Sequence, residues 1–197
     1  GTEQELFSLK ELAQAFDLER VGKSGSRFDP EKAKWYNQQY LKAMDDDDLA
    51  ALFVPVLQQK GHTVRLDYLK KVTVLVKERL VFPQDFWGQA FYFFEAPADY
   101  DAAMARKVWK ADTPQIISEV SNLFGASADF SAPTLESLIK QYTEEKGLGF
   151  GRVAAPLRLL IVGSGMGPHL FDILEMIGKE ETLSRMDNGL KKVLHGK

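Results

Sequence analysis

Asp45-Asp46-Asp47-Asp48-Leu49-Ala50-Ala51-Leu52-Phe53-Val54-Pro55-Val56-Leu57 is the stretch on which the fold reading turns. Leu49, Leu52, Phe53, Val56 and Leu57 stand at i, i+3, i+4, i+7 and i+8, the single apolar stripe of a helix packed on one side. The four carboxylates precede the stripe, at the end where free backbone N–H groups and the helix dipole favour negative charge. Pro55 is expected to kink this helix and Gly61 to end it.

The same punctuation repeats on both sides. Upstream, Asp29-Pro30 reads as an N-cap with proline at the first helical position, opening a helix that carries Trp35, Tyr36, Tyr40 and Leu41. Further upstream, Ser8-Leu9-Lys10-Glu11 has the spacing of a capping box, with Leu9, Leu12, Ala13 and Phe16 on one face. Downstream, Leu66, Leu69, Val72, Val76 and Leu80 keep helical period over 65–82, against the β-branched run Val72-Thr73-Val74. Thr113-Pro114, Pro133-Thr134 and Gly167-Pro168 each open a further helix, closed by Gly125, Gly147 and Gly178 respectively, and a last basic helix is expected from about Glu181 to Leu194. Period-2 alternation is absent, so the reading is all-α. Loops are expected at 22–26, 96–98 and 126–128.

The chain has 197 residues, 25 Lys or Arg against 28 Asp or Glu, 45% apolar residues and a net charge of -3. That apolar content can offset the entropy of ordering the chain, which excludes disorder. No apolar run approaches the about 18 residues of a membrane span, so no membrane partner is expected. Cysteine is absent, which removes disulfides, thiolate metal sites and thiol nucleophiles and fits a reducing compartment. The opening Gly1-Thr2-Glu3 reads as the start of one piece of a longer protein.

Several fragments imitate catalytic motifs. Gly163-Ser164-Gly165-Met166-Gly167 follows the apolar run Leu157 to Val162, as a dinucleotide loop would. Its spacing is G-x-G-x-G and only 30 residues follow, too few for another βαβ unit with its ribose-binding acid. A turn before a helix is the better reading. Gly22-Lys23-Ser24 lacks the first glycine of a phosphate loop, because Asp17 stands there. His62, His169 and His195 are far apart and lack ligand spacing, and Asp45–Asp48 lacks the spacing of a calcium loop, so no metal site is expected. No catalytic constellation and no cofactor site can be built from this chain alone.

The charge is unevenly placed. Arg20 to Met44 holds six Lys or Arg against two acids, and Gln58 to Leu80 again six against two. Basic residues interleaved with Trp and Tyr are what an RNA binder uses, cations for phosphates and flat faces for unpaired bases. Solvated helix faces would carry the same lysines without any such role.

Val21-Gly22-Lys23-Ser24-Gly25-Ser26-Arg27-Phe28-Asp29-Pro30-Glu31-Lys32-Ala33-Lys34-Trp35-Tyr36-Asn37-Gln38-Gln39-Tyr40-Leu41 closely resembles the segment just after the catalytic region of bacterial glutamyl-tRNA synthetases, with their Phe-Asp-x-x-Lys-x-x-Trp-x-Asn stretch followed by Tyr-Leu or Tyr-Ile. Pro156-Leu157-Arg158, then Gly163, Pro168-His169-Leu170-Phe171 and Ile177-Gly178-Lys179-Glu180 resemble the same family's C-terminal end in order and spacing. The family's His-Ile-Gly-His and Lys-Met-Ser-Lys-Ser motifs are not present. The resemblance implies the tRNA-binding part of a class I ligase that joins glutamate to its tRNA in the cytoplasm, with ATP and Mg used by the whole enzyme. It implies a short stem-contact segment over 1–45, then two helical anticodon-binding subdomains over 46–93 and 94–197. The implied partner is tRNA(Glu), bound by a monomer, with no DNA.

The site residues follow from the matched positions. Lys32 and Trp35 resemble the pair that the family sets against the inner corner of the tRNA. Arg79 falls where the family has an arginine reading the third anticodon base, and Arg158 where it has one at the first base. Gly167 and Pro168 lie in the loop that approaches that first base, and His169 replaces the family's usual glycine. Glutamate and glutamine anticodons differ at the third base, cytosine against guanine. A guanidinium fork can donate to cytosine O2 and N3, whereas guanine opposes it with its own N1–H and N2–H donors. Each mispaired group of that kind costs about 1–3 kcal/mol. The competing readings are a helical protein–protein interaction module and a stand-alone enzyme built on the Gly163–Gly167 loop.

Overall fold

The computed structural model describes residues 4–18 and 27–195, and within them every regular element is helical. The expected loop at 22–26 lies outside the described residues. Helix α1 (Leu9–Ala15) has the full capping box: the Ser8 hydroxyl accepts from the Glu11 amide, and the Glu11 carboxylate accepts from the Ser8 amide. Its apolar residues do not enter the core, however. Leu9, Leu12 and Phe16 are exposed, as are Leu18 and Phe28 nearby. Helix α2 (Pro30–Ala43) starts where Asp29 accepts from the Glu31 and Lys32 amides. Helix α3 (Asp46–Gln59) is capped by Asp45 and runs through Pro55, which faces outward. Leu49, Ala50, Phe53 and Leu57 are its buried face; Leu52, expected in the stripe, sits at its exposed rim. Gly61 takes φ +80, and the His62 amide donates back to the Leu57 carbonyl, the left-handed stop expected there.

Helix α4 (Leu66–Val76) takes up the 65–82 stripe but ends early, continuing as a 3-10 turn over Lys77–Arg79. The β-branched run is tolerated because Thr73 is buried and its hydroxyl donates to the Leu69 carbonyl one turn back. A short helix α5 (Phe86–Ala90) and 3-10 turns at Pro83–Asp85 and Phe91–Phe93 complete this half. The other half comprises α6 (Ala102–Val108), α7 (Thr113–Ala126), α8 (Ala132–Lys146), α9 (Gly151–Val162), α10 (Leu170–Ile177) and α11 (Lys179–His195).

Several boundaries differ from expectation. Gly125 lies inside the last turn of α7, which stops at Ser127 instead. Gly167-Pro168 precedes α10 without opening it; the N-cap is His169. The run Leu157–Val162 is the second half of α9, and Gly163 is its left-handed terminator at φ +82, so the glycine-rich segment after it is a helix stop. No strand leads into it, which removes the geometry of a dinucleotide loop.

In the first half α3 packs on α4 and α5; in the second α11 lies across α7 and α9, with α8 against α10. One continuous apolar cluster runs from Leu41 to Met186 through both halves. At its centre on the first side, the Phe53 and Phe86 rings stack at 4.0 Å, both fully buried. No described helix is long and apolar enough to cross a membrane.

Candidate nucleic-acid interface

The outer face of α2 carries Lys32 and Trp35. Lys32 Nζ stands 3.0 Å from Glu5 Oε1 and 5.5 Å over the Tyr36 ring, and the Glu5 hydrogen bond holds its pKa above the ordinary lysine value. Trp35 meets Tyr36 edge-on, with centroids 5.1 Å apart, and remains 40% exposed. It is therefore a surface aromatic. A groove of about 320 Å³ beside Lys32 is lined by Arg27, Phe28, Asp29, Ala33 and Tyr36.

The inner face of α2 is fastened to the segment that follows α4. Asn37 donates to the Val81 carbonyl, Gln38 donates to the Glu78 carbonyl, and Lys42 pairs with Glu78 at 2.5 Å. Lys77 reaches back to Asp46 at 2.6 Å, and the Asp85 carboxylate accepts from the Val81 and Phe82 amides. Leu80 is fully buried. The residues on either side of Arg79 are thus anchored, while Arg79 is exposed and its guanidinium holds no hydrogen bond or ion pair among the described residues.

Arg158, on α9, faces the loop before α10. Its Nη1 donates to the Met166 carbonyl at 2.9 Å and its Nη2 to the Pro168 carbonyl at 2.8 Å. Two of its N–H groups therefore clip the loop, and three of the five remain. Gly167 sits at φ +107, and a Cβ there would lie 3.0 Å from the Tyr92 hydroxyl and 3.4 Å from Arg158 Nη1. Pro168 is buried, while the side chain of His169 is half exposed, 3.7 Å from Glu136 and 3.9 Å from Asp172. Burial draws the Arg158 pKa below its ordinary value, and the like charge of Arg79 adds to that. Burial pushes the Tyr92 hydroxyl up to about 12, with Arg79 and Arg158 both pulling the other way.

Arg158, Gly167 and Pro168 are thus joined in one loop contact beside Tyr92, whereas Arg79 is linked to Tyr92 and Arg158 only through the field of its charge. Lys32 and Trp35 lie apart from them on α2, joined through its inner face. The basic stretches are not a bare cationic track. Lys34, Lys42, Arg65, Lys70 and Lys77 each pair with a carboxylate. Among the described residues no group of three or more His, Cys, Asp or Glu side chains could hold a metal ion.

Two residues outside the sequence reading shape this site. Tyr92 lies in Phe91-Tyr92-Phe93-Phe94, a run whose density of rings marks a core crossing. Arg185, on the helix expected to be merely basic, is only 3% exposed; buried Met186 and partly buried Leu183, Leu190 and Val193 give that helix an apolar stripe against the core, beside which it falls.

Residues 48–190 match the anticodon binding domain family. Over 190 residues the chain is 47% identical to the glutamate–tRNA ligase of Flavobacterium psychrophilum, covering 96% of this chain and 38% of that protein. It is 38% identical over 193 residues to the glutamate–tRNA ligase of Bacteroides thetaiotaomicron, with 97% and 38% covered. A solved glutamate tRNA ligase of Elizabethkingia meningosepticum, in complex with its amino acid, superposes with a TM-score of 0.91 at 38% identity, over 96% of this chain and 38% of that one. The chain spans about 38% of the length of these relatives. With residues 48–190 inside the family match, the chain belongs to the anticodon-binding domain family.

Proposed function

We propose that this chain is the tRNA-recognising part of a glutamate–tRNA ligase, and that it reads the anticodon of tRNA(Glu) with Arg79 and Arg158 while Lys32 and Trp35 hold the inner corner of the tRNA. The observation that carries this reading is the state of two guanidiniums: Arg158 clips the loop before α10, and Arg79 stands exposed and unpaired on an anchored turn. An exposed, anchored, unpartnered guanidinium is placed to spend its donor fork on a ligand, and unpaired bases present acceptors of matching geometry. Arg158 and the loop over Gly167 and Pro168 form the adjoining wall, where the first anticodon base would rest. Lys32 on a water-covered helix face suits a phosphate, which is held without being read.

In this reading ATP and Mg serve adenylate formation in the whole enzyme, a monomer acting in the cytoplasm. Titration of this chain with tRNA(Glu) over a salt series tests the proposal. Binding should weaken steeply with salt as phosphate contacts release counterions, and no ATP–pyrophosphate exchange should accompany it. Absence of tRNA binding, or a salt-insensitive association, would favour a protein-interaction module instead.

A further inference from the structure

Arg185 lies on α11, far in sequence from Arg79 and Arg158, and it is the one buried charged side chain among the described residues. Its Nε donates to Glu181 Oε1 at 2.6 Å one turn earlier on the same helix. Its Nη1 donates to two carbonyls, of Tyr92 at 2.6 Å and of Ile161 at 3.2 Å. Ile161 lies in the last turn of α9, where carbonyls have no partner within the helix, and Tyr92 lies in a 3-10 turn. One nitrogen therefore bridges the end of the first half to the helix that carries Arg158, three residues before Ile161. Close approach of α11 to α9 at this level requires Gly189, where a Cβ would stand 2.7 Å from the Leu160 side chain and 3.0 Å from the Tyr100 hydroxyl.

We propose that Arg185 is a positioning residue for anticodon reading: through the Tyr92 and Ile161 carbonyls it sets where the Arg79 and Arg158 guanidiniums stand relative to each other. The proposal rests on the reading of those two arginines as base contacts. Burying a guanidinium is costly, and an apolar side chain of similar volume would fill the same space at least as well. What the buried charge adds is direction: its donors accept only one placement of Tyr92 against α9. The Tyr92 ring is also where the charges of Arg79 and Arg158 are both felt, and its hydroxyl lies against Gly167. A shift of Tyr92 would thus move the wall against which Gly167 and the Arg158 clip rest, and change the field that both guanidiniums share, without removing either.

The test uses this chain with two anticodon stem-loop RNAs that differ only in cytosine or guanine at the third anticodon base, read by fluorescence anisotropy. Arg185→Met and Arg185→Lys are compared with wild type and with Arg79→Gln, each with a far-UV melting curve and a salt series. Arg185→Met is expected to lose about tenfold of the preference for cytosine while keeping its salt slope, because misplacement affects reading and leaves phosphate contacts intact. Arg185→Lys, which keeps the charge and a donor without the fork, should retain part of the preference. A folded Arg185→Met with wild-type preference, alongside a loss in Arg79→Gln, would overturn the positioning role and leave the proposed function standing. No cytosine preference in wild type, or none lost in Arg79→Gln, would overturn both. Should Arg185→Met fail to fold, Arg185→Lys decides: a reduced preference with an unchanged salt slope supports the proposal, and an unchanged preference contradicts it.

Discussion

Lys32 meets Glu5 and Tyr36 on a helix face that water covers, whereas Arg158 meets the Met166 and Pro168 carbonyls from a half-buried position between two packed halves. The first cation is screened, its side chain is long, and it can follow a phosphate without strain. The second spends two N–H groups on fixed carbonyls, charge-assisted bonds worth about 1.5–3 kcal/mol each, and cannot move without releasing the loop. Arg79 lies between these cases, with its backbone locked by Lys77, Leu80 and Asp85 and its guanidinium unspent. The contrast separates two tasks. In the proposed function, a surface charge would hold nucleic acid of any sequence, and a charge set by a core would discriminate between bases.

The largest way to break this contrast is to remove the frame. Phe86→Ala deletes a fully buried ring stacked on Phe53 beneath the segment that holds Arg79, and should cost about 3–5 kcal/mol of stability. Thermal unfolding by circular dichroism measures it; an unchanged midpoint would show that the first half does not depend on that stack. Gly167→Ala acts on the loop itself. Its φ of +107 and the nearby Tyr92 hydroxyl and Arg158 should make the substitution cost about 1–3 kcal/mol. RNA affinity should fall with stability, since the loop must move away from Arg158. Stability and affinity that both match wild type would mean the loop is free to relax.

Substitutions on α2 sharpen the other side. Lys32→Ala should lower the salt slope of tRNA binding by about one and weaken both third-base variants equally. Trp35→Ala should leave the melting temperature nearly unchanged, within about 0.5 kcal/mol of stability, because the indole is a surface group. A strong anticodon dependence for Lys32→Ala would place α2 among the reading elements. The smallest effect is away from RNA. Hydrogen bonds from Lys146, Gln115 and Tyr142 hold the Glu119 pKa below 4.5, at about 2, and join α7 to α8. A carboxylate depressed on folding stabilises above its unfolded pKa, and that contribution fades as pH falls from about 4.5 through about 2. Melting curves over that window should be less pH-dependent in Glu119→Gln, and an identical slope would show that the three donors do not hold it.

Most of the helical order was legible because caps and terminators act locally. Ser8, Asp29, Asp45, Gly61 and Gly147 perform at their own positions what their chemistry dictates. Failures occurred where tertiary contact decides. The α1 face has an amphipathic period yet finds no core among the described residues, and the run Leu157–Val162 looks alike in a strand or a buried helix. Gly125 carries the composition of a stop, but α7 continues past it. At the candidate site, Arg79 and Arg158 could be named from register in a matched family pattern, but not that one would be clipped to a loop and the other left exposed. Tyr92 and Arg185 were invisible because their roles arise from contacts 24 and 93 residues apart in sequence. No local pattern announces such a contact.

The central claim is that Arg79 reads the third anticodon base from an anchored turn. Its most direct test is the affinity of wild-type and Arg79→Gln chains for stem-loops bearing cytosine or guanine at that base. Glutamine can both donate and accept, so it no longer penalises guanine as a guanidinium does. Wild type should prefer cytosine, and the substitution should shrink the preference by about 1–3 kcal/mol, chiefly through weaker binding of the cytosine RNA. Equal loss on both RNAs, or no loss on either, would contradict the account and make Arg79 an ordinary surface charge.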